Sequence, residues 1–242
     1  MRDDTWIKKL LGSLLLVCSS TVLFAAPRER SAAFAQVKDA PNLPRVLLLG
    51  DSISIGYTVP VRQALKGIAN LHRPAENCAG TKRGLERIDR WLGDGHWDVI
   101  HFNWGLHDLK FQDAKGRLAS PERGTQQTPI EQYEKNLETL VRRLEKTGAT
   151  LIFATTTPVP KGSAGRIVGD AAKYNSAARR VMQRHRIQIN DLYAVAKALP
   201  ADCKRKANVH YTPKGSKRLG AQVAESIREA LKTKQQLDKK RQ

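Results

Sequence analysis

Two short blocks near opposite ends of the chain hold residue types that together can break an ester. Gly50-Asp51-Ser52-Ile53-Ser54 follows the apolar run Val46-Leu47-Leu48-Leu49, and Asn208-Val209-His210-Tyr211-Thr212 runs into a helical pattern. A serine hydroxyl is a weak nucleophile until a base takes its proton, and histidine has a pKa suited to that task near neutrality. Acyl transfer also needs fixed donors where negative charge grows on the carbonyl oxygen. The backbone N–H groups of Ser52 and of Gly80, in Asn77-Cys78-Ala79-Gly80-Thr81, can serve. So can a ring N–H of His107, in Trp104-Gly105-Leu106-His107-Asp108. On this reading Ser52 is the nucleophile, His210 the base, and Ser52, Gly80 and His107 the oxyanion hole. A plainer role stands open beside each: Ser52 as a helix cap, His210 as a packing residue, His107 as a hydrogen bond to a neighbouring strand. Asp51 is expected to brace its turn, and Asp108 the loop that holds His107. Trp104 and Thr156, both at strand ends, are candidates for the substrate pocket.

For these blocks to meet, the elements between them must form a sheet. Apolar runs at Val46–Leu49, Val99–Asn103, Leu151–Ala154 and Ile187–Ile189, with a weaker one near Leu71–Pro74, alternate with helical patterns. Ile130, Tyr133, Leu137, Leu140 and Leu144 fall on one face of a helix, as do Leu219, Val223, Ile227 and Leu231. Thr128-Pro129 followed by Glu131 predicts a capping box for the first, with Gly148 ending it, and Thr212-Pro213 opens the second in the same way. Such alternation implies an α/β fold with a mostly parallel central sheet covered on both faces. Loops at the carboxyl ends of parallel strands open on one side, where the four blocks would converge. Residues 110–127 read as a polar insertion on that side.

Gly-Asp-Ser after the first strand, an isolated glycine after the second, Gly-x-x-Asp after the third and a late histidine before the last helix resemble the SGNH, or GDSL, hydrolase superfamily. The resemblance runs from about Arg45 to Leu231. It implies a three-layer α/β/α flavodoxin-like fold and ester hydrolysis through an acyl-Ser52 intermediate, without a metal or other cofactor. It places the nucleophile on Ser52, the base on His210 and the oxyanion glycine on Gly80. Two positions depart from the pattern. The third block has His107 where the family carries asparagine. The last has Ala207 where an aspartate would orient the imidazole. Asn208, a backbone carbonyl, or Asp191 or Asp202 folding back are the substitutes in the sequence.

The remaining composition bounds the setting. At 242 residues, 40% hydrophobic and 27% charged, the chain suits one globular domain with extras. Lys8-Lys9, an apolar run from Leu10 to Phe24 and small residues after it form a secretory signal pattern within residues 1–35, with exits after Ala25, Ala26 or Ala33-Phe34-Ala35. A linker over 36–44, the hydrolase domain over 45–231 and a basic tail over 232–242 follow. Export, to the periplasm or outside the cell, would make Cys78–Cys203 a candidate disulfide, with two buried thiols as the alternative. No later segment is apolar enough to span a membrane. The net charge of +19 favours an anionic polymer as partner, or is merely a soluble basic surface. The basic residues are not interleaved with aromatics, which argues against specific nucleic-acid binding. His72, His96, His101 and His185 lack metal-ligand spacing, and Trp91 and Trp97 are expected to pack. The expected function is a serine esterase acting on O-acetyl groups of carbohydrate. Alternatives are a lysophospholipase- or thioesterase-like acylhydrolase, or a non-catalytic carbohydrate- or envelope-binding protein on the same fold.

Overall fold

The computed structural model describes residues 32–241. The leader pattern up to residue 31 lies outside the described residues. Five parallel strands form the central sheet: β1 (Arg45–Leu49), β2 (Asn70–His72), β3 (Val99–Phe102), β6 (Thr150–Ala154) and β7 (Gln188–Asn190), in the order β2-β1-β3-β6-β7. All pairings are parallel, from Val46 beside Val99 to Phe153 beside Ile189. Counted within the sheet this is the flavodoxin-like 2-1-3-4-5 arrangement, whose switch point lies between the first and third strands. Val46–Leu49 and Val99–Phe102 are buried without alternation, as strands covered on both faces must be.

Helices α1 (Ser52–Ala64) and α6 (Pro213–Arg241) cover one face, joined by the short α5 (Leu192–Ala198). Helices α2 (Thr81–Leu92), α3 (Ile130–Glu145) and α4 (Asp170–Arg184) cover the other. The apolar stripes expected on α3 and α6 are buried. Each leucine-sized side chain in them contributes roughly 1.5–3 kcal/mol by leaving water. Glycine sets how near α1 and α6 come. A Cβ on Gly220 would stand 2.9 Å from the Pro60 Cβ, and one on Gly56 would stand 3.1 Å from the Ser216 Oγ. Since α1 begins at Ser52 and α6 begins just after His210, this crossing fixes the separation of the two residues.

Several expectations are corrected. Thr128 does not cap α3: its hydroxyl makes no hydrogen bond, and the N-cap position is Pro129. Thr212 does cap α6, accepting from Gly215 N at 3.3 Å. Cys78 and Cys203 are free, buried thiols rather than a disulfide. Cys78 N bonds Gly50 O beneath the nucleophile turn, whereas Cys203 O accepts from Thr212 N beside α6. Residues 232–241 of the basic tail continue α6. The 110–127 insertion carries a small antiparallel pair, β4 (Phe111–Gln112) with β5 (Thr125–Gln126). Residues 35–44 have no helix or strand, yet Asn70 pins them, donating to Ala40 O at 3.0 Å and Leu43 O at 3.2 Å. No helix among the described residues is long and apolar enough to cross a membrane.

Candidate active site

The loops after β1, β2 and β3 meet at the switch point of the sheet, and the segment before α6 closes over them. At the first loop Asp51, two residues past the end of β1, caps α1, its Oδ1 accepting from Ile53 N at 2.9 Å. Burial raises the pKa of its carboxyl. Ser52 is therefore the first residue of α1, where N–H groups point out of the helix without carbonyl partners. Arg73 braces the turn from below. It donates to Ser54 Oγ at 3.1 Å, Thr58 Oγ1 at 2.9 Å and Gly50 O at 3.4 Å.

Ser52 Oγ lies 2.8 Å from His210 Nε2. On the far side of the ring, His210 Nδ1 lies 2.8 Å from Asn208 Oδ1, and that oxygen also accepts from His210 N at 2.9 Å. These distances settle the tautomer. A backbone N–H only donates, so the Asn208 atom facing it is the acceptor oxygen, and Nδ1 must carry the ring proton. Nε2 is then a bare lone pair, and the Ser52 hydroxyl donates to it. Asn208 thus stands where an orienting acceptor would, a place Ala207 cannot fill. Ala207 sits at φ +50°, a left-handed conformation that lifts the chain so that Asn208 can turn back on His210. Asp191 and Asp202 do not fold back. Asp191 caps α5 and pairs with Arg179 at 2.6 Å, and Asp202 pairs with Lys214. Burial lowers the His210 pKa, and the charges of Arg166 and Arg205 lower it further.

The oxyanion side is tied together by Asp108. Its buried Oδ1 accepts from Thr81 N at 2.9 Å and Thr81 Oγ1 at 2.5 Å, joining the loop after β3 to the start of α2. Gly80 is the N-cap of α2, and a Cβ there would stand 3.1 Å from the Asp108 carboxyl. The glycine is therefore required by the aspartate behind it. Burial pushes the Asp108 pKa up to about 6, against the hydrogen bonds from Thr81. His107, one residue earlier, is held by Lys110, whose Nζ lies 3.2 Å from His107 Nδ1. An ammonium only donates, so the His107 proton sits on Nε2, free to donate elsewhere. Burial, together with Lys110, Arg166 and His210, pulls the His107 pKa down to about 3. It is a neutral, single-proton donor.

Two pocket assignments are corrected. The Trp104 side chain is fully buried, stacked at a tilt on Phe102 with ring centroids 5.8 Å apart. Thr156 is buried as well. Its hydroxyl donates to Trp104 O at 3.0 Å, and its backbone pairs both ways with Asn175. Both hold the β3 and β6 ends together and line no pocket at the serine. The cavity at Ser52 and His210 is lined instead by Ile53, Pro60, Arg205 and Tyr211. Trp91 and Trp97 pack as expected, with their ring N–H groups on Glu76 and Leu92. His72 pairs with Asp39, His185 with Glu138 and Glu145, and His101 with Asn190. Sequence reading missed Arg73, Lys110, Arg166 and Arg205. Single basic residues among 42 lysines and arginines carry no spacing signal.

Residues 48–218 match the GDSL-like Lipase/Acylhydrolase family. No curated protein matches the chain. Among solved structures, an acetyl xylan esterase shares the fold at TM-score 0.62 and 17% identity, over 76% of this chain and 99% of its own. A lipase/acylhydrolase from Enterococcus faecalis does so at TM-score 0.61 and 18% identity, over 76% and 95%. An acetylxylan esterase from Geobacillus stearothermophilus does so at TM-score 0.61 and 15% identity, over 76% and 94%.

Proposed function

Given that the chain belongs to the GDSL-like lipase/acylhydrolase family and is an ester hydrolase, we propose that it removes small acyl groups, acetate foremost, from carbohydrate through Ser52. The observation that carries the serine chemistry is the continuous line from Ser52 Oγ through His210 to Asn208 Oδ1, with the ring proton on the side away from the serine. His210 Nε2 takes the Ser52 proton as Oγ bonds to the ester carbonyl carbon. The oxyanion meets the N–H groups of Ser52 and Gly80 and the Nε2–H of His107. His210 then passes its proton to the departing alcohol oxygen, and the carbon–oxygen bond breaks. Water, deprotonated by the same nitrogen, attacks the acyl-serine, and the acid leaves as Ser52 recovers its proton. A neutral amide replaces the carboxylate that would steady the imidazolium, so turnover is slower than a full triad would give.

Acetate on carbohydrate is favoured by the likeness to acetylxylan esterases and by the export pattern. A lysophospholipase- or thioesterase-like reaction is the second reading, favoured by Ile53, Pro60 and Tyr211 beside the serine. The protein is exported on this proposal. Its leader is removed at Ala25 or Ala26 rather than after Ala35, because Arg62 holds Ala32 O at 2.9 Å and Ala35 O at 3.1 Å on the folded domain. The test is direct. The mature protein is incubated with para-nitrophenyl acetate, acetylated xylan and a serine-reactive phosphonate, at pH values on both sides of neutrality. Labelling of Ser52 and release of acetate from both esters are expected, faster than release of the longer acids from para-nitrophenyl butyrate and octanoate run beside them. No labelling and no turnover would remove the reading.

A further inference from the structure

Lys110, Arg166 and Arg205 come from three different loops: Lys110 and Arg166 lie by His107, and Arg166 and Arg205 lie by His210. Lys110 Nζ touches His107. Arg166, in the loop after β6, donates through Nε to Leu106 O at 3.2 Å, the carbonyl next to His107. Arg205 lines the cavity with Ser52 and His210, and its Nε donates to Tyr211 O at 3.2 Å. Elsewhere on this protein arginines find carboxylates readily, as Arg180 and Arg184 do on Glu134. Among the described residues, none of these three makes an ion pair. Each contacts only neutral acceptors, a backbone carbonyl or an imidazole nitrogen.

Lys110 and Arg166 are half-buried and unpaired, which is costly, and Arg166 together with the exposed Arg205 also works against catalysis. The imidazolium formed on His210 must carry its charge close to Arg166 and Arg205, with no carboxylate at Ala207 to offset them. The one acid that Arg166 faces, Asp51, is buried beneath the nucleophile turn and already engaged with Ile53 N. An anion brought by the substrate would satisfy the three cations and steady the imidazolium in the same step.

We infer that the ester this site accepts carries its own anionic group, a carboxylate, sulfate or phosphate close to the scissile carbonyl, received by Lys110, Arg166 and Arg205. This rests on the esterase reading above and narrows its substrate to acidic esters, such as acylated uronic acid or sulfated sugar residues. Neutral esters are then poor substrates of a competent enzyme.

Two pairs of esters test it, each differing only in charge. On the alcohol side, para-acetoxybenzoate is compared with its methyl ester, and on the acyl side the para-nitrophenyl monoester of glutaric acid with para-nitrophenyl pentanoate. Each kcat/KM is divided by that ester's own hydroxide rate. A sulfonate and a phosphate in place of the favoured carboxylate distinguish the anions. At least one charged ester should be preferred by about tenfold or more, as one charge-assisted contact supplies. The preference should shrink with added salt, and shrink again in each of Lys110→Gln, Arg166→Gln and Arg205→Gln. Ratios near one for both pairs, or a preference untouched by salt and by all three substitutions, overturn the inference and leave the esterase standing. No turnover of any ester, with Ser52 unlabelled by phosphonate, removes both.

Discussion

The two halves of this active site are built to different standards. The nucleophile half is set into the sheet: Ser52 follows a fully buried strand, Asp51 caps its helix, Arg73 braces the turn, and Asp108 locks Gly80 from behind. The histidine half hangs on a surface segment. Residues 205–208 are exposed, Ala207 holds a left-handed conformation, and His210 is oriented by a side chain two positions away. Buried machinery cannot change one residue without disturbing several partners, whereas an exposed loop can exchange an aspartate for a nearby amide. The departure from the family pattern that matters most falls in the half that could absorb it.

Removing either reacting group breaks both halves at once. Ser52→Ala or His210→Ala should lower kcat by about 10⁴-fold or more with the melting temperature retained, measured on any ester the protein turns over. Residual activity within about tenfold of wild type would place the chemistry elsewhere. The next effects separate the halves. His107→Ala removes one oxyanion donor and should cost about 10²–10³ in kcat, while His107→Asn should keep most of the rate. Asn208→Ala leaves the imidazole without an acceptor and should cost about 10² in kcat with little change in KM. If Ala207→Asp instead raised activity, the acceptor site at Nδ1 would be open, contrary to the 2.8 Å contact with Asn208.

Much of this was legible beforehand, and for identifiable reasons. All five sheet strands appear within a residue or two of the runs read from the sequence; β1, β3 and β6 are marked by hydrophobic stretches, whereas β2 (Asn70-Leu71-His72) and β7 (Gln188-Ile189-Asn190) carry a weaker signal. That Ser52 and Gly80 fall on one side was readable because strand ends in a parallel sheet share one side, and that His210 meets Ser52 because it precedes the helix packed on α1. Trp104 and Thr156 occupy the same kind of position, yet they turn into the protein. Which way a strand-end side chain points depends on the neighbouring strand, here on the carbonyl of Trp104 that receives the Thr156 hydroxyl. Asn208 was only one of several substitutes, since a fold-back of Asp191 or Asp202 stays open in the sequence until their own partners, Arg179 and Lys214, are seen.

Smaller effects sharpen the contrast. Burial and two nearby cations lower the His210 pKa below its ordinary value of 6.5. The free base therefore persists as pH falls, and the acid limb of kcat/KM should lie below pH 6.5. Asn208→Asp favours the protonated ring and should move that limb upward, and a limb unmoved by it would deny the Nδ1 contact. In the sheet, burial pulls the His101 pKa down to about 3 from 6.5. The unfolded chain takes a proton there that the folded one refuses, so stability should fall as pH drops from about 6.5 toward 3. His101→Asn should flatten that decline in thermal melts. Least of all, Ala207→Gly should change stability by about 1 kcal/mol or less, the relief of positive φ being set against glycine's freedom in the unfolded chain.

The close crossing of α1 and α6 over Gly56 and Gly220 has a consequence for when Ser52 and His210 can meet. A chain made from its amino end completes the serine, its turn and both backbone donors long before the base exists. Because α6 also covers one face of the sheet, the same packing that closes the core brings His210 to Ser52.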